Sequence, residues 1–215
     1  MNRRRIFIVC LVVIIIGAAA VWIFRQGKPD AAPGAANSPS PSATASAPAP
    51  AIAEPISHAR DRVTKKPLGI FVKPGASPVQ PERFTGYHTG VDFETTEAEQ
   101  NADVPVYALC DGPLVQKRTA SGYGGVMVQS CVLNNQDVTV IYGHIRLVSV
   151  SAAVGDQLAH GQQIAVLGTG YSSETDGERK HLHLGIHVGA AITIAGYVQT
   201  KDELNGWLNV LDYLP

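Results

Sequence analysis

From His181 to His187 the residues alternate without a break, with His181, His183, Gly185 and His187 on one phase and Leu182, Leu184 and Ile186 on the other. A period of two is that of a β-strand, whose successive side chains point to opposite faces. The segment therefore belongs in a sheet, with its leucines against a core and its imidazoles on the opposite wall. Similar short apolar runs recur, broken by glycine, proline and asparagine. Val106–Cys110 ends at the turn signal Asp111-Gly112-Pro113, and Leu114–Arg118 follows. Val126–Leu133 and Val138–Tyr142 flank Asn134-Asn135-Gln136-Asp137 and read as a hairpin, and Gln163–Leu167 adds another strand. No window of a dozen residues carries a helical stripe, apart from a turn or two around Leu204–Leu214. The pattern predicts an all-β fold, an antiparallel β-sheet core with long loops, over residues 56–215.

Two segments precede that domain. Ile6 to Phe24 is an uncharged run of 19 residues behind Arg3, Arg4 and Arg5. It is long enough to cross a hydrocarbon core as a helix, and the arginines favour a cytoplasmic N-terminus with everything downstream exported. The rival is a cleaved signal peptide, for which Ala18–Ala20 resembles a cleavage site. The apolar run continues through Val21, Trp22, Ile23 and Phe24, longer than an ordinary signal core, which favours an uncleaved anchor over residues 1–25. Residues 26–55 form a linker, expected to be disordered, in which 19 of the 23 positions from 31 to 53 are Ala, Pro or Ser. Its prolines favour extended backbone, so it would act as a spacer of up to ~70 Å.

Beyond the first thirty residues the chain holds 12 basic and 17 acidic side chains. No stripe of Lys and Arg with interleaved aromatics appears, so nucleic acid is not the expected partner. Of the three cysteines, Cys10 lies in the anchor, while Cys110 and Cys131 fall in the exported part. An oxidising compartment would let those two pair, two separately buried thiols being the alternative.

Five of the seven histidines fall in three short motifs. In Gly86-Tyr87-His88-Thr89-Gly90-Val91-Asp92, a strand would point residues 88, 90 and 92 to one face, and Gly90 leaves room for an imidazole and a carboxylate to converge on one ion. In Val138-Thr139-Val140-Ile141-Tyr142-Gly143-His144, a β-branched strand would carry Tyr142 and His144 to one face. His181 and His183, two apart on a strand, make a compact metal or acid–base device, whereas His187 reads better as a surface residue. Alone, a His and Asp at this spacing or a His at a strand end is weak; together the three motifs carry weight.

These motifs, in this order, resemble the lysostaphin/LytM-type peptidoglycan zinc metalloendopeptidase family: an HxxxD segment, a strand ending in Tyr-x-His, then an HxH strand. "VPVYALCDGPL" and "VGDQLAHGQQIAVLGTG" resemble the family's supporting strands and turns, and the likeness spans Tyr87 to His187. The resemblance implies one zinc ion per chain held by His88, Asp92 and His183, with a coordination position left open. It implies that His144 and His181 form the catalytic pair, and that the substrate is a stem peptide or cross-bridge of peptidoglycan on the extracytoplasmic side of the cytoplasmic membrane. Lys180 departs from the pattern, because proline commonly precedes the HxH motif, and a longer polar loop, "YSSETDGERK", leads into that strand. Neither an inhibitory segment with an obvious fourth ligand nor a separate wall-binding module is visible. The alternative is a catalytically silent regulator of other wall hydrolases with the same fold. Such relatives typically lack ligands, and this chain keeps all five site residues.

Overall fold

The computed structural model describes residues 52–215. The predicted membrane segment over 1–25 and all but the end of the 26–55 linker lie outside the described residues. Among the described residues no helix is long and apolar enough to cross a membrane. Ile52–Pro55 lie against the domain: the Ala53 N–H donates to the Leu109 carbonyl, and the Pro55 carbonyl accepts from the Tyr107 N–H, each at 2.9 Å.

The strands in chain order are β1 (Phe71–Val72), β2 (Gly86–His88), β3 (Gly90–Glu94), β4 (Pro105–Tyr107), β5 (Gly112–Ala120) and β6 (Gly124–Leu133). They continue with β7 (Gln136–Gly143), β8 (Gln157–Leu158), β9 (Gln163–Val166), β10 (His181–Val188), β11 (Tyr197–Val198) and β12 (Trp207–Leu208). Every helical segment among the described residues is a short 3₁₀ turn, including Asp202–Gly206 and Val210–Asp212, where the sequence suggested helix. The main sheet runs β12-β10-β7-β6-β5-β8, with β3 also paired to β10. β1, β2 and β11 form a second sheet and β4 with β9 a third. All pairings between these strands are antiparallel.

The hairpin predicted around residues 134–137 is tighter than its sequence suggested. Leu133 pairs with Gln136, so only Asn134 and Asn135 form the loop, with φ of 50° and 62°. Two successive positive φ angles suit the right-handed twist of a two-residue hairpin, and asparagine tolerates them better than most residues.

The centre of the sheet is covered on both faces, which explains its near-continuous apolar runs. Met127, Val140, Tyr142, Leu182, Leu184 and Ile186 face the main core, while Val126, Val128, Ile141, Tyr123 and Trp207 form a smaller cluster on the other side. The disulfide Cys110–Cys131 ties the segment just before β5 to β6. Beside it a polar relay is fully paired: the Leu109 N–H donates to the Tyr142 hydroxyl (2.8 Å), and that hydroxyl donates to Gln129 Oε1 (2.8 Å). Gln129 Nε2 in turn donates to the Cys110 carbonyl at 2.7 Å. Burial in low dielectric makes such a relay costly to break. Tyr142→Phe strands a buried N–H and a buried amide oxygen, and is expected to cost roughly 1–3 kcal/mol in denaturant unfolding. A loss indistinguishable from zero would mean that water replaces the hydroxyl.

Candidate metal centre

Strand β10 is hydrogen-bonded along both edges, and its register assembles the site. On one side His183 lies opposite Asp92 and His181 opposite Glu94. On the other, His183 lies opposite Gly143. His88 arrives differently. It ends β2 in the second sheet, and the chain crosses to β3 at Thr89, whose N–H donates to the Gly196 carbonyl at 3.1 Å. Residues 88–92 are therefore not one strand presenting a single face, as the spacing suggested, but two strands that converge on the same point.

His88 Nε2 lies 3.0 Å from His183 Nδ1 and 3.3 Å from Asp92 Oδ1, and His183 Nδ1 lies 3.1 Å from Asp92 Oδ1. All three residues are buried, and together they form a group that could hold a metal ion. Gly90 does keep space open, but the space is filled by the third residue of the group. A Cβ there would stand 2.7 Å from His183 Cε1 and Nε2. The tautomers fit a cation. His88 Nδ1 lies 3.2 Å from the Pro67 carbonyl and His183 Nε2 lies 3.3 Å from the Tyr123 hydroxyl. With ring protons donated there, three lone pairs face one another with no proton between them, an arrangement a cation relieves. Zinc bonds of about 2.0–2.1 Å at tetrahedral angles put donor atoms roughly 3.3 Å apart, close to the separations here.

His144 and His181 stand beside this group, their ring centroids 4.3 Å apart. Here the sequence expectation needs correction, because Tyr142 and His144 do not share a face through strand alternation. Tyr142 pairs with Leu184 and faces the core. Alternation would send His144 the same way, but its φ of 61° lies in the left-handed region and turns it into the cleft. Gly143 is needed for another reason too, since a Cβ there would stand 2.4 Å from the Tyr123 ring. His181 Nδ1 lies 2.9 Å from the Arg179 carbonyl, and its Nε2 lies 3.3 Å from Asp92 Oδ2. His187 packs edge-on against Trp207, outside the cleft.

The cleft over these residues has a volume of about 470 Å³. Its walls include Arg179, Tyr123, Tyr197 and Lys66, none of which sequence reasoning singled out. Arg179 is the largest omission, since its Nη2 donates to Asp92 Oδ2 at 2.9 Å. The only signal was a run of charges just before the histidine strand, and charge runs usually mark solvated loops. Lys180, at the position where the resemblance expects proline, points away from the cleft. Its ammonium is buried and donates to the Glu99 carbonyl (3.0 Å) and the Ala102 carbonyl, which caps the 3₁₀ turn Glu97–Glu99.

Burial opposes ionisation of Asp92, but the neighbouring imidazoles of His181 and His88 outweigh it and hold the carboxyl well below the usual carboxylate range. Burial pulls His183 down from 6.5 to about 4, against the opposing hydrogen bond to Asp92. Burial, and next the charge of His181, pull His144 well below its ordinary value. The site thus presents an ionised Asp92 and a neutral His183 near neutral pH, the state in which each ligates a metal.

A buried His-Asp-His group that could hold a metal ion lies at the cleft, with two more imidazoles at its side. Residues 86–194, just over half of the chain, match Peptidase family M23, and the protein belongs to that family. No curated protein sequence matches the chain. Among solved structures it is similar to LytU, at 20% identity over 72% of this chain and 86% of that one, with a TM-score of 0.48. It is also similar to a zinc containing peptidase from Vibrio cholerae, at 22% identity over 64% of this chain and 37% of that one (TM-score 0.42). Helicobacter pylori Csd3 aligns at 17% identity over 72% of this chain and 38% of that one (TM-score 0.43).

Two predictions follow from the geometry. Because the folded pKa of His183 is depressed, to about 4 from 6.5, the unfolded chain binds more protons than the folded one between those values. The contribution is fully present above pH 6.5 and is lost as pH falls towards 4. The metal-free domain should therefore show a falling melting temperature from pH 7 to pH 4.5, and a flat profile would contradict the depressed value. Gly90→Ala pushes a methyl group into the His183 ring. It should cost about 1–3 kcal/mol and weaken zinc uptake in a chelator titration.

Proposed function

We propose that the protein is a zinc metalloendopeptidase that hydrolyses peptide cross-links of bacterial peptidoglycan. In this reading residues 6–24 anchor it in the cytoplasmic membrane and the Ala/Pro/Ser-rich linker holds the domain on the extracytoplasmic side. The observation that carries the reading is the convergence of His88, Asp92 and His183 at donor separations of 3.0–3.3 Å, with two imidazoles that are not part of the group facing the same cleft. Membership of a peptidase family supports the reaction class, and a disulfide between Cys110 and Cys131 suits an oxidising compartment.

His88, Asp92 and His183 would hold the zinc. When bound, zinc supplies Lewis acidity that polarises a scissile carbonyl and makes water a better nucleophile at neutral pH. The remaining chemistry belongs to the side chains. With its Nδ1–H donating to the Arg179 carbonyl, His181 has its Nε2 available to accept a proton from the attacking water. Asp92 Oδ2, 3.3 Å away, stabilises the imidazolium that forms. His144 is kept neutral by burial, and its Nδ1 has no protein partner. A neutral imidazole carries one N–H, which His144 donates to the oxyanion that develops on the carbonyl.

Purified domain should bind about one zinc per chain, and Ala at His88, Asp92 or His183 should sharply reduce it. His144→Ala and His181→Ala should keep near-normal zinc yet cleave peptidoglycan at least ~100-fold more slowly. Products from peptidoglycans of differing cross-bridge chemistry, read by mass spectrometry, would identify the bond. Zinc-loaded protein that cuts none of them would instead be a silent regulator. Cleavage unaffected by His144→Ala would leave the enzyme and remove this mechanism.

A further inference from the structure

Arg179 lies outside every motif that identifies the site, yet it touches more of the site than any other residue of its loop. Its side chain is only 9% exposed. Nε donates to both carboxylate oxygens of Glu94, at 3.1 and 3.0 Å. Nη2 donates to Asp92 Oδ2 at 2.9 Å and also to Glu94 Oε1. Its main-chain carbonyl accepts the Nδ1 proton of His181 at 2.9 Å. One residue thus fixes a candidate ligand through its side chain and a candidate proton acceptor through its backbone.

The two oxygens of Asp92 are divided by these contacts. Oδ1 faces His88 Nε2 and His183 Nδ1, while Oδ2 is taken by the guanidinium, with His181 Nε2 3.3 Å away. A carboxylate free to turn could offer a cation both oxygens and fill the position a substrate needs. With Oδ2 held on Arg179, only Oδ1 is left. The holder is itself fixed. Asp92 and Glu94 lie two apart on β3 and point to the same side, and the planar fork spans them, which a lysine's single ammonium cannot do.

We propose that Arg179 is a positioning residue, which braces itself on Glu94 and holds Asp92 so that it presents a single oxygen to the metal. This rests on the reading of His88, Asp92 and His183 as ligands. Partners of this kind typically matter 10–100-fold for metal affinity.

The test uses the full-length protein and zinc alone, with affinity read by competition against a chromophoric chelator and the metal-free melting temperature measured in parallel. Arg179→Lys keeps the charge and loses the fork. The double variant R179Q/E94Q removes both charges of the pair, so the net charge around Asp92 is unchanged. Both should bind zinc about 10–100-fold more weakly than wild type, a loss per folded molecule that a purely structural role would not produce. If Arg179→Lys does not fold, the double variant decides. Wild-type zinc affinity in the folded variants, even with a lowered melting temperature, overturns the proposal and leaves the ligand assignment intact. A wild-type protein that takes up no zinc sinks the ligand assignment and this inference with it.

Discussion

Strand β10 is paired on both edges, and its register decides what the sheet can do. His183 is set opposite Asp92 on one side and Gly143 on the other, so residues far apart in the chain meet because backbone hydrogen bonds align them. A slip of one residue would turn Leu182 and Leu184 into the cleft and bury the imidazoles in the core. The main core penalises that slip heavily, since both leucines are essentially fully buried. Hydrophobic burial on one face therefore enforces the arrangement of polar groups on the other. The small residues opposite and beside β10 complete the effect: Gly90 leaves room for the His183 ring and Gly143 for the Tyr123 ring.

Among the described residues several charged side chains are buried around this centre, and each buried cation has a partner. Lys66 pairs with Glu82 at 2.6 Å and donates to the Tyr197 hydroxyl at 3.0 Å. Arg62 grips Glu99 with two hydrogen bonds, of 2.7 and 2.8 Å, and that contact is the main reason the Glu99 carboxyl drops to about 2. Glu99 lies in the turn whose carbonyls Lys180 caps, and Lys180 is next to Arg179. Buried ion pairs contribute little net stability compared with apolar packing, but removing one partner is expensive. Such pairs tie segments distant in the chain, Lys66 to Glu82 and Arg62 to Glu99, with partners that tolerate few alternative geometries.

Much of this was readable in the sequence, and the parts that were not share a physical cause. Alternation from His181 to His187 identified the strand and both of its faces, because burial on one side imposes a period of two. The five site residues could be named because their motifs occur in a familiar order, and the structure brings all five to one place. Features that depend on a single backbone torsion stayed hidden. Nothing in Tyr142-Gly143-His144 reveals that φ turns positive at His144, or that the chain changes sheets at Thr89. The burial of Arg179 and Lys180 was hidden for a different reason: charged residues in a polar loop are usually solvated, and only their distant partners, Asp92, Glu94 and the carbonyls of Glu99 and Ala102, make burial possible.

The two histidines outside the ligand group show how identical side chains acquire different chemistry from their surroundings. His181 has a carbonyl on one nitrogen and a carboxylate near the other. His144 has neither. Its Nδ1 is buried without a partner, and both burial and the charge of His181 oppose its protonation. Separated environments of this kind let one site hold a proton acceptor and a neutral donor at the same pH. In the proposed mechanism the two roles cannot be exchanged, because a proton on His181 makes a second proton on His144 still less favourable. The arrangement also needs Asp92 to stay ionised while serving a cation and an imidazolium together, which places the guanidinium on its outer oxygen at the centre of the electrostatic balance.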